Sequence, residues 1–510
     1  TSNISIHIYF KSFIIIVKGM TNFKITLSLL ILICITGCDD FLSEKPDNRT
    51  EINTPEKISE LLVEAYPQMS YFEIAETMSD NVFDSGLPET IRKNEQNYNW
   101  EIQTETTEID TQAYYWDACY RAIAHANKAL QAIDELGNTS NLNPQKGEAL
   151  IARAYSHFML VSLWAKRYNP ATAATDLGVP YVTKPETELV TKYKRNTVAE
   201  VFDFIEKDLE EGLKYVTNNY KEPRFHFNVN ASKAFASRFY LIKGNWDRVI
   251  ELSNDLGSKP EGKLRDYSAY ESLGVEDQQL KYSSSAAETN LLIVSANTIV
   301  SRVYHLNRFN LSGARQPEVF GPTTNLFGKP YYYNLYSSNS SITLFVPKFY
   351  EYFKYSNVTA AIGEPFVAEV LLSNDEFFLN RIEAHVMKGQ TALANDELEY
   401  FLATRTPTYA PTDKLTEAKV VAKFPVVANE YTPFYTMTPV QTSYIKAIAE
   451  TRRRDFIHEG LRWFDIKRFN IVVKHETANK PVNTLAKDDN RRALQIPLHA
   501  SSTGVELNPR

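Results

Sequence analysis

From Tyr114 to Leu136 the chain reads YYWDACYRAIAHANKALQAIDEL, and Tyr115, Cys119, Ala122, Ala126, Ala129 and Ile133 fall three and four residues apart. That spacing traces one face of a helix. Asn143 and Pro144 are expected to open the next helix as N-cap and first-turn residue. In it, small Ala149, Ala152 and Ala154 sit among Tyr155, Phe158 and Trp164, a mixture that lets helices approach closely. Thr197, with Glu200 three residues on, reads as a capping box at the head of a third helix. Between Asn230 and Gly257, residues Ala236, Tyr240, Gly244, Trp246 and Val249 follow the sense of a tetratricopeptide repeat, in which Gly ends one helix and an aromatic residue restarts the next. Ala384 and Lys388-Gly389 repeat the arrangement of Ala236 and Lys243-Gly244 inside a further helical stretch, Asn374 to Leu402. The pattern predicts a mainly α protein on a tetratricopeptide-like helical-repeat scaffold.

The pattern changes in residues 258–365, which carry many turn residues and no sustained helical period. A loop-rich tract of that length inside a folded body is usually functional. Near the C-terminus ETRRRDFIHEGLRWFDIKRF, Glu450 to Phe469, reads as one amphipathic helix. Phe456, Ile457, Gly460 and Phe464 lie on one side, and charges are spaced to pair as Asp455 with His458, Glu459 with Arg462 and Asp465 with Arg468.

The first stretch of the chain follows another rule. The apolar run Ile25 to Gly37 is shorter than the roughly 20 residues that a membrane-spanning helix needs. Met20 and Lys24 precede it, small Thr36 and Gly37 end it, and Cys38-Asp39-Asp40 follow, as in a secretory signal peptide. Two readings fit: a lipobox whose cysteine is acylated after cleavage, or an ordinary secretory signal with an incidental cysteine. Residues 1–19 are treated as an upstream extension, 20–37 as the signal peptide, 38–57 as a polar tether and 58–510 as one domain. Its helical scaffold comprises 58–257 and 366–510, and 258–365 is the loop-rich region. Cleavage before Cys38 removes Cys34 and leaves Cys119, on a helix face, as a buried and inert thiol.

Composition narrows the partners. The 510 residues, 43% hydrophobic and 23% charged, suffice for a large core, and a net charge of -7 argues against nucleic acid and against charge-driven binding to anionic membranes. Membrane attachment must therefore be covalent, through acyl chains that each contribute about 0.8 kcal/mol per buried CH2. The sequence contains no GxSxG, HExxH, P-loop or strand-preceded GxGxxG motif, so no catalytic residue, metal or cofactor is expected. His125, His157 and His385 are expected to be structural. Paired carboxylates for glycoside hydrolysis are a property of the fold and stay open at this point.

Tyr (30) and Phe (28) far outnumber Trp (5). Sugar rings stack on aromatic faces while their hydroxyls need Asp, Asn or Arg beside the ring. Two tracts combine these residue types. The first offers Tyr71, Asp80, Asn81, Tyr98 and Trp100. The second offers Tyr304, Asn307, Arg308, Phe309, Arg315, Phe320, Tyr331, Tyr332 and Tyr333.

The segment Glu459, Gly460, Arg462, Trp463, Phe464, Asp465 and Arg468 resembles the signature of the SusD/RagB family. Thr451 and Asp455 stand where glutamates are expected, and Ile466 replaces leucine. The resemblance continues in order through Cys38 to Leu42, Trp116-Asp117, Ala126 to Ala129, Arg153-Ala154-Tyr155, Glu383-Ala384 and the closing LQIPLHASSTGVELNPR. It implies an outer-membrane lipoprotein lipidated at Cys38 and exposed at the cell surface. Such a protein binds an oligosaccharide, or a peptide in some members, and delivers it to a TonB-dependent SusC-like transporter without catalysis. Asp39 and Asp40 resemble the acidic export signal of related lipoproteins. A bare helical-repeat protein scaffold and a glycosidase are the readings from other classes. If Cys38 carries the acyl chains, Cys38→Ala moves the protein from the membrane fraction to the soluble one, and unchanged fractionation refutes the lipobox.

Overall fold

Several helices begin where a side-chain oxygen accepts from the first turn. Thr54 caps α1 (Pro55–Leu62), and α2 (Phe72–Thr77) and α3 (Arg92–Tyr98) follow it. Thr111 caps α4 (Gln112–Glu135), which leads to α5 (Asn143–Trp164). The Thr197 backbone N–H donates to Glu200 Oε2 at 2.9 Å and the Glu200 N–H to Thr197 Oγ1 at 3.2 Å, completing the expected capping box of α6 (Val198–Gly212). Asn228 caps α7 (Val229–Lys243), and Gly244 closes it in the left-handed region (φ 75°) before α8 (Trp246–Leu252). Ser373 caps α9 (Asn374–Met387), which precedes α10 (Thr391–Ala403). The Thr438–Gln441 box heads α11 (Pro439–Asp455), and α12 (Leu461–Arg468) follows. One expected start is displaced: Leu142 is the N-cap of α5, with Asn143 and Pro144 inside its first turn.

This computed structural model describes residues 52–88, 92–104, 108–186, 188, 191–304, 306–311, 313, 315–338, 343–477 and 480–510. Cys38, the signal segment and most of the tether lie outside the described residues. Asn53–Arg510 forms one compact unit.

Successive helices pack as neighbours: α4 on α5, α5 on α6, α7 on α8, and α9 on α10, α11 and α7. The α5–α6 contact is set by glycines, since a Cβ on Gly147 would lie 2.7 Å from Val216 N and one on Gly212 2.8 Å from Ile151 Cδ1. Cys119 is fully buried between helices, and burial pushes its thiol far above the usual range. His157 is likewise structural, with Nδ1 2.9 Å from Arg153 O and Nε2 accepting from Val182 N–H at 3.0 Å; burial pushes its pKa down to about 3.

The tract 258–365 is more ordered than its turn residues suggest. Two-residue strands β1 (Phe83–Asp84) and β3 (Phe309–Asn310) pair antiparallel, and β4 (Tyr336–Ser338) pairs with β5 (Thr343–Phe345). A three-stranded antiparallel sheet has the order β2 (Asn290–Asn297), β7 (Ile362–Ser373), β6 (Glu351–Asn357). β8 (Val473–Thr477) and β9 (Lys480–Leu485) form a hairpin.

The segment 450–469 departs from its expected form. It is not one helix: α11 stops at Asp455, His458 (φ 72°) and Gly460 (φ 69°) turn the chain, and α12 restarts at Leu461. A Cβ on Gly460 would sit 2.7 Å from Ala75 Cβ, so glycine answers both to the φ and to the close approach of α2. Its charges are buried and mostly pair at long range. Only Asp465 and Arg468 pair as spaced, at 2.8 Å. Asp455 binds Arg405 at 2.8 Å, Glu459 binds Lys348 at 2.5 Å, and Arg462 binds Asp80 at 2.8 Å.

Arg405, 1% exposed, also reaches Asp375 and the Arg265 carbonyl. Removing this cation leaves two buried carboxylates unpaired. Arg405→Met should therefore cost roughly 3–5 kcal/mol in urea unfolding, and a cost within error of zero would show the pairs to be dispensable.

Candidate functional site

The β1–β3 pairing, Phe83 opposite Asn310 and Asp84 opposite Phe309, brings the two aromatic tracts of the sequence together. On it stands a continuous column of rings. Phe309 lies 4.4 Å from Tyr98, Tyr98 4.0 Å from His475 and His475 4.3 Å from Trp100, all within 22° of parallel. Guanidinium groups cap both ends: Arg308 lies 5.3 Å from the Phe309 ring centre and Arg491 5.8 Å from that of Trp100. Polar edges are tied down, with Tyr98 OH donating to Glu476 O at 2.8 Å and Trp100 Nε1 to Met78 O at 3.0 Å. His475 lies between two carbonyls, Nδ1 2.6 Å from Tyr98 O and Nε2 2.8 Å from Ser79 O. Burial lowers its pKa, while those two carbonyls and Asp80 act to raise it.

Both ends of the column along this β1–β3 seam reach solvent, the Arg491 side chain 34% exposed at the Trp100 end and Arg308 less so at the Phe309 end. Arg308 grips Asp84 with both arms, Nε to Oδ1 at 2.5 Å and Nη2 to Oδ2 at 2.7 Å, and stays about one-fifth exposed. Ser85 closes onto the Arg308 carbonyl, its N–H at 3.0 Å and Oγ at 2.8 Å. Arg315 pairs with Glu318 at 2.9 Å. Leu306, two residues before Arg308 in the chain, is half-exposed. A fixed guanidinium–carboxylate pair next to apolar surface can offer planar donors and acceptors to hydroxyl groups.

The remaining predicted residues have other surroundings. Tyr71 is buried against Phe72, Tyr115 and Phe464. Asn81 donates to Glu76 at 3.0 Å and accepts from Arg453 at 2.8 Å. Tyr304 packs edge-on to Phe345, Phe349 and His458, and Asn307 donates to Glu73 at 3.3 Å. Phe320 and Tyr333 lie in a separate core cluster with Tyr267, Tyr270 and Tyr282, and Tyr333 OH donates to Asp455. Tyr331, partly buried, has the Arg454 guanidinium 4.9 Å from its ring centre. Tyr332 is partly exposed, and its N–H donates to Arg405 O at 3.1 Å. Thus Tyr71, Asn81, Tyr98, Trp100, Tyr304, Asn307, Phe309, Phe320 and Tyr333 are buried, whereas Asp80, Arg308, Arg315, Tyr331 and Tyr332 keep accessible surface. Sequence reasoning missed Asp84, His475 and Arg491, which carry no local motif. It also missed an open groove of about 570 Å³ beside α4, where Tyr120 and Tyr193 face an Asp117–His499 pair (2.7 Å).

Among the described residues no group of three or more His, Cys, Asp or Glu is placed to hold a metal ion, and no helix is long and apolar enough to cross a membrane.

Comparison with known proteins names the architecture. Over nine-tenths of its length the chain shares its fold with a SusD superfamily protein from Bacteroides thetaiotaomicron (TM-score 0.60, 18% identity, 90% of this chain and 100% of that one). A SusD-like carbohydrate binding protein from Bacteroides vulgatus shares it too (TM-score 0.63, 16% identity, 88% and 96%). Residues 40–241 match the SusD-like family described as starch-binding and associating with the outer membrane. "SusD-like protein P38" of Formosa agariphila is 28% identical over 216 residues, and that alignment spans 39% of each chain. Over residues 40–241 the chain is thus similar to the SusD-like family, and along nine-tenths of its length it shares the fold of a SusD superfamily structure.

Asp80 fastens the seam to the family signature, taking Arg462 Nε and Nη2 on its two oxygens at 2.8 Å each. Burial alone would raise its carboxyl pKa, but Arg453 and Arg462 hold it well below the usual range. A depressed folded-state pKa contributes stability above the unfolded value of about 3.9 and loses it as pH falls further. Asp80→Asn should therefore destabilise the protein by about 2–3 kcal/mol at pH 7. The gap from the parent should begin to narrow as pH falls below about 4 and should close only as pH passes the depressed folded-state value, well below 3; a pH-independent gap would contradict the ion pair.

Proposed function

We propose that this protein is a cell-surface oligosaccharide-binding lipoprotein. On this reading Cys38 carries the acyl anchor, the body captures a glycan without transforming it, and a TonB-dependent SusC-like transporter receives the cargo. The observation that carries the reading is the fold shared along nearly the whole chain with a SusD-like carbohydrate binding protein. The family description, starch-binding and associating with the outer membrane, supports both the cargo class and the location.

The ligand contacts are assigned to the residues of the two tracts that keep accessible surface. Arg308 with Asp84 supplies a rigid donor and acceptor pair, Arg315 and Asp80 are further charged candidates, and Tyr331 and Tyr332, which pack against the separate Phe320–Tyr333 cluster, are candidate ring faces. The buried column of Phe309, Tyr98, His475 and Trp100 acts as the support that holds Arg308 in place. A stacked ring contributes on the order of 1 kcal/mol beyond its area, and hydroxyls exchange water for protein partners at little net gain. Binding should be modest.

Calorimetry on the full chain against neutral glycans, acidic glycans and mixed peptides tests this. A neutral glycan should bind with an affinity that barely changes between low and high salt, because stacking does not depend on charge. Tyr332→Ala should weaken binding roughly fivefold without lowering the melting temperature. Binding of peptides alone would overturn the glycan reading. A fall in stability with unchanged affinity would assign Tyr332 to the core.

A further inference from the structure

The β6–β7 hairpin reaches past the sheet that anchors it. β7 pairs with β2 from Asn290 opposite Ser373 to Asn297 opposite Phe366, and with β6 from Glu351 opposite Val367 to Asn357 opposite Ile362. Outward of Phe366, β7 therefore has only β6 beside it. A two-stranded ribbon is marginal on its own, and this one is held by its side chains. Tyr352 stacks on Phe366 at 5.2 Å, Phe353 meets Tyr355 edge-on at 4.9 Å, and Tyr350 meets Tyr352 at 4.8 Å.

Its surface is unusual for a ribbon in water. Val358 is 79% exposed, Ile362 59%, Tyr355 54%, Tyr352 37% and Phe353 36%. From Tyr355 to Gly363 the sequence YSNVTAAIG contains no Asp, Glu, Lys or Arg. Lys354 lies opposite Glu364 just inside Tyr355, with Phe353 and Tyr352 further in, and Arg302 pairs with Glu351 at 2.6 Å at the base. From the tip inward the order is an uncharged turn carrying Val358 and Ile362, then Tyr355, then the facing charges Lys354 and Glu364.

We infer that this hairpin is a second membrane contact, dipping its charge-free tip with Val358 and Ile362 into the interface of a lipid bilayer while Tyr355 lies at headgroup level. The order of residue types matches the bilayer's own gradient, in which tyrosine favours the headgroup zone and charges favour water. The reach matches as well. Residues beyond the Tyr355–Gly363 pair extend about three positions, or roughly 10 Å at 3.3 Å per residue, and interfacial segments bury about 5–10 Å. A protein partner would need complementary polar groups along the free β6 edge, and the charge-free tip offers nothing to orient it. The inference does not depend on which ligand the body binds.

The test uses the processed chain beginning at position 38 with Cys38→Ala, so that no acyl chain contributes. It should float with vesicles of neutral phosphatidylcholine, and equally well when anionic phosphatidylglycerol is added, because the tip is uncharged. Val358→Asp combined with Ile362→Asp should weaken flotation roughly tenfold with an unchanged melting temperature, since both side chains already face water. A Val358→Trp reporter should shift its fluorescence to the blue on vesicle addition and be quenched by brominated lipid. No flotation, flotation insensitive to the double substitution, or a reporter that responds only to a second copy of the chain or to a co-purified protein would each overturn the membrane contact.

Discussion

One buried ionic lattice holds the helical scaffold in register. Arg238 of α7 binds Glu376 of α9 at 2.8 Å, and Arg452 of α11 binds Asp465 of α12 at 3.0 Å and lies 3.5 Å from Glu376. Arg468 binds Asp465 at 2.8 Å and also Glu383, and Arg405 binds Asp455 and Asp375. Each of these side chains is nine-tenths buried or more. Stripping water from such groups costs several kcal/mol per ion, and the loss is offset only when partners and geometry are complete. The lattice is therefore a condition on assembly more than a source of stability. Helical repeats ordinarily contact only their sequence neighbours. Here Arg238 meets a carboxylate 138 residues away, so α7, α9, α11 and α12 reach their low-energy state together or not at all.

The same lattice positions the seam. The turn at His458 and Gly460 splits what would be one amphipathic helix and sends Arg453 and Arg462 toward the tract 71–100. Arg453 takes the Asp80 carbonyl and the Asn81 side chain, and Arg462 takes the Asp80 carboxylate. Asp80 and Asn81 lie directly before β1, the strand on which Phe309 and Arg308 are laid. The column of rings thus inherits its position from a segment that touches none of those rings in sequence.

How much of this the sequence discloses follows from the range of each interaction. Helix faces and caps are local, so α4, α6 and the Gly244 and Gly389 breaks are legible from spacing alone. Spacing also proposes ion pairs three residues apart, and at Asp455 and Glu459 that proposal fails because better-placed partners, Arg405 and Lys348, arrive from elsewhere. Aromatic count is silent about exposure: Tyr98 and Tyr355 look alike in sequence, yet one is a fully buried rung and the other stands half in water. The β6–β7 hairpin escapes notice because nearly all of β6 stands in water, so EYFKYSN, with aromatic residues beside Glu351 and Lys354, lacks the alternation that marks a half-buried strand.

Anchoring and capture place different demands on the body. On the proposed reading, acyl chains at Cys38 attach the protein to the bilayer at a single point and leave the orientation of the body to other contacts. A ligand seam must instead keep one orientation if cargo is to pass in one direction. On the membrane-contact reading, a weak second touch is enough, because tethering makes it an intramolecular event with a high effective concentration of lipid. A ribbon two strands wide, with a short uncharged tip and Lys354 and Glu364 facing each other just behind Tyr355, limits its own depth.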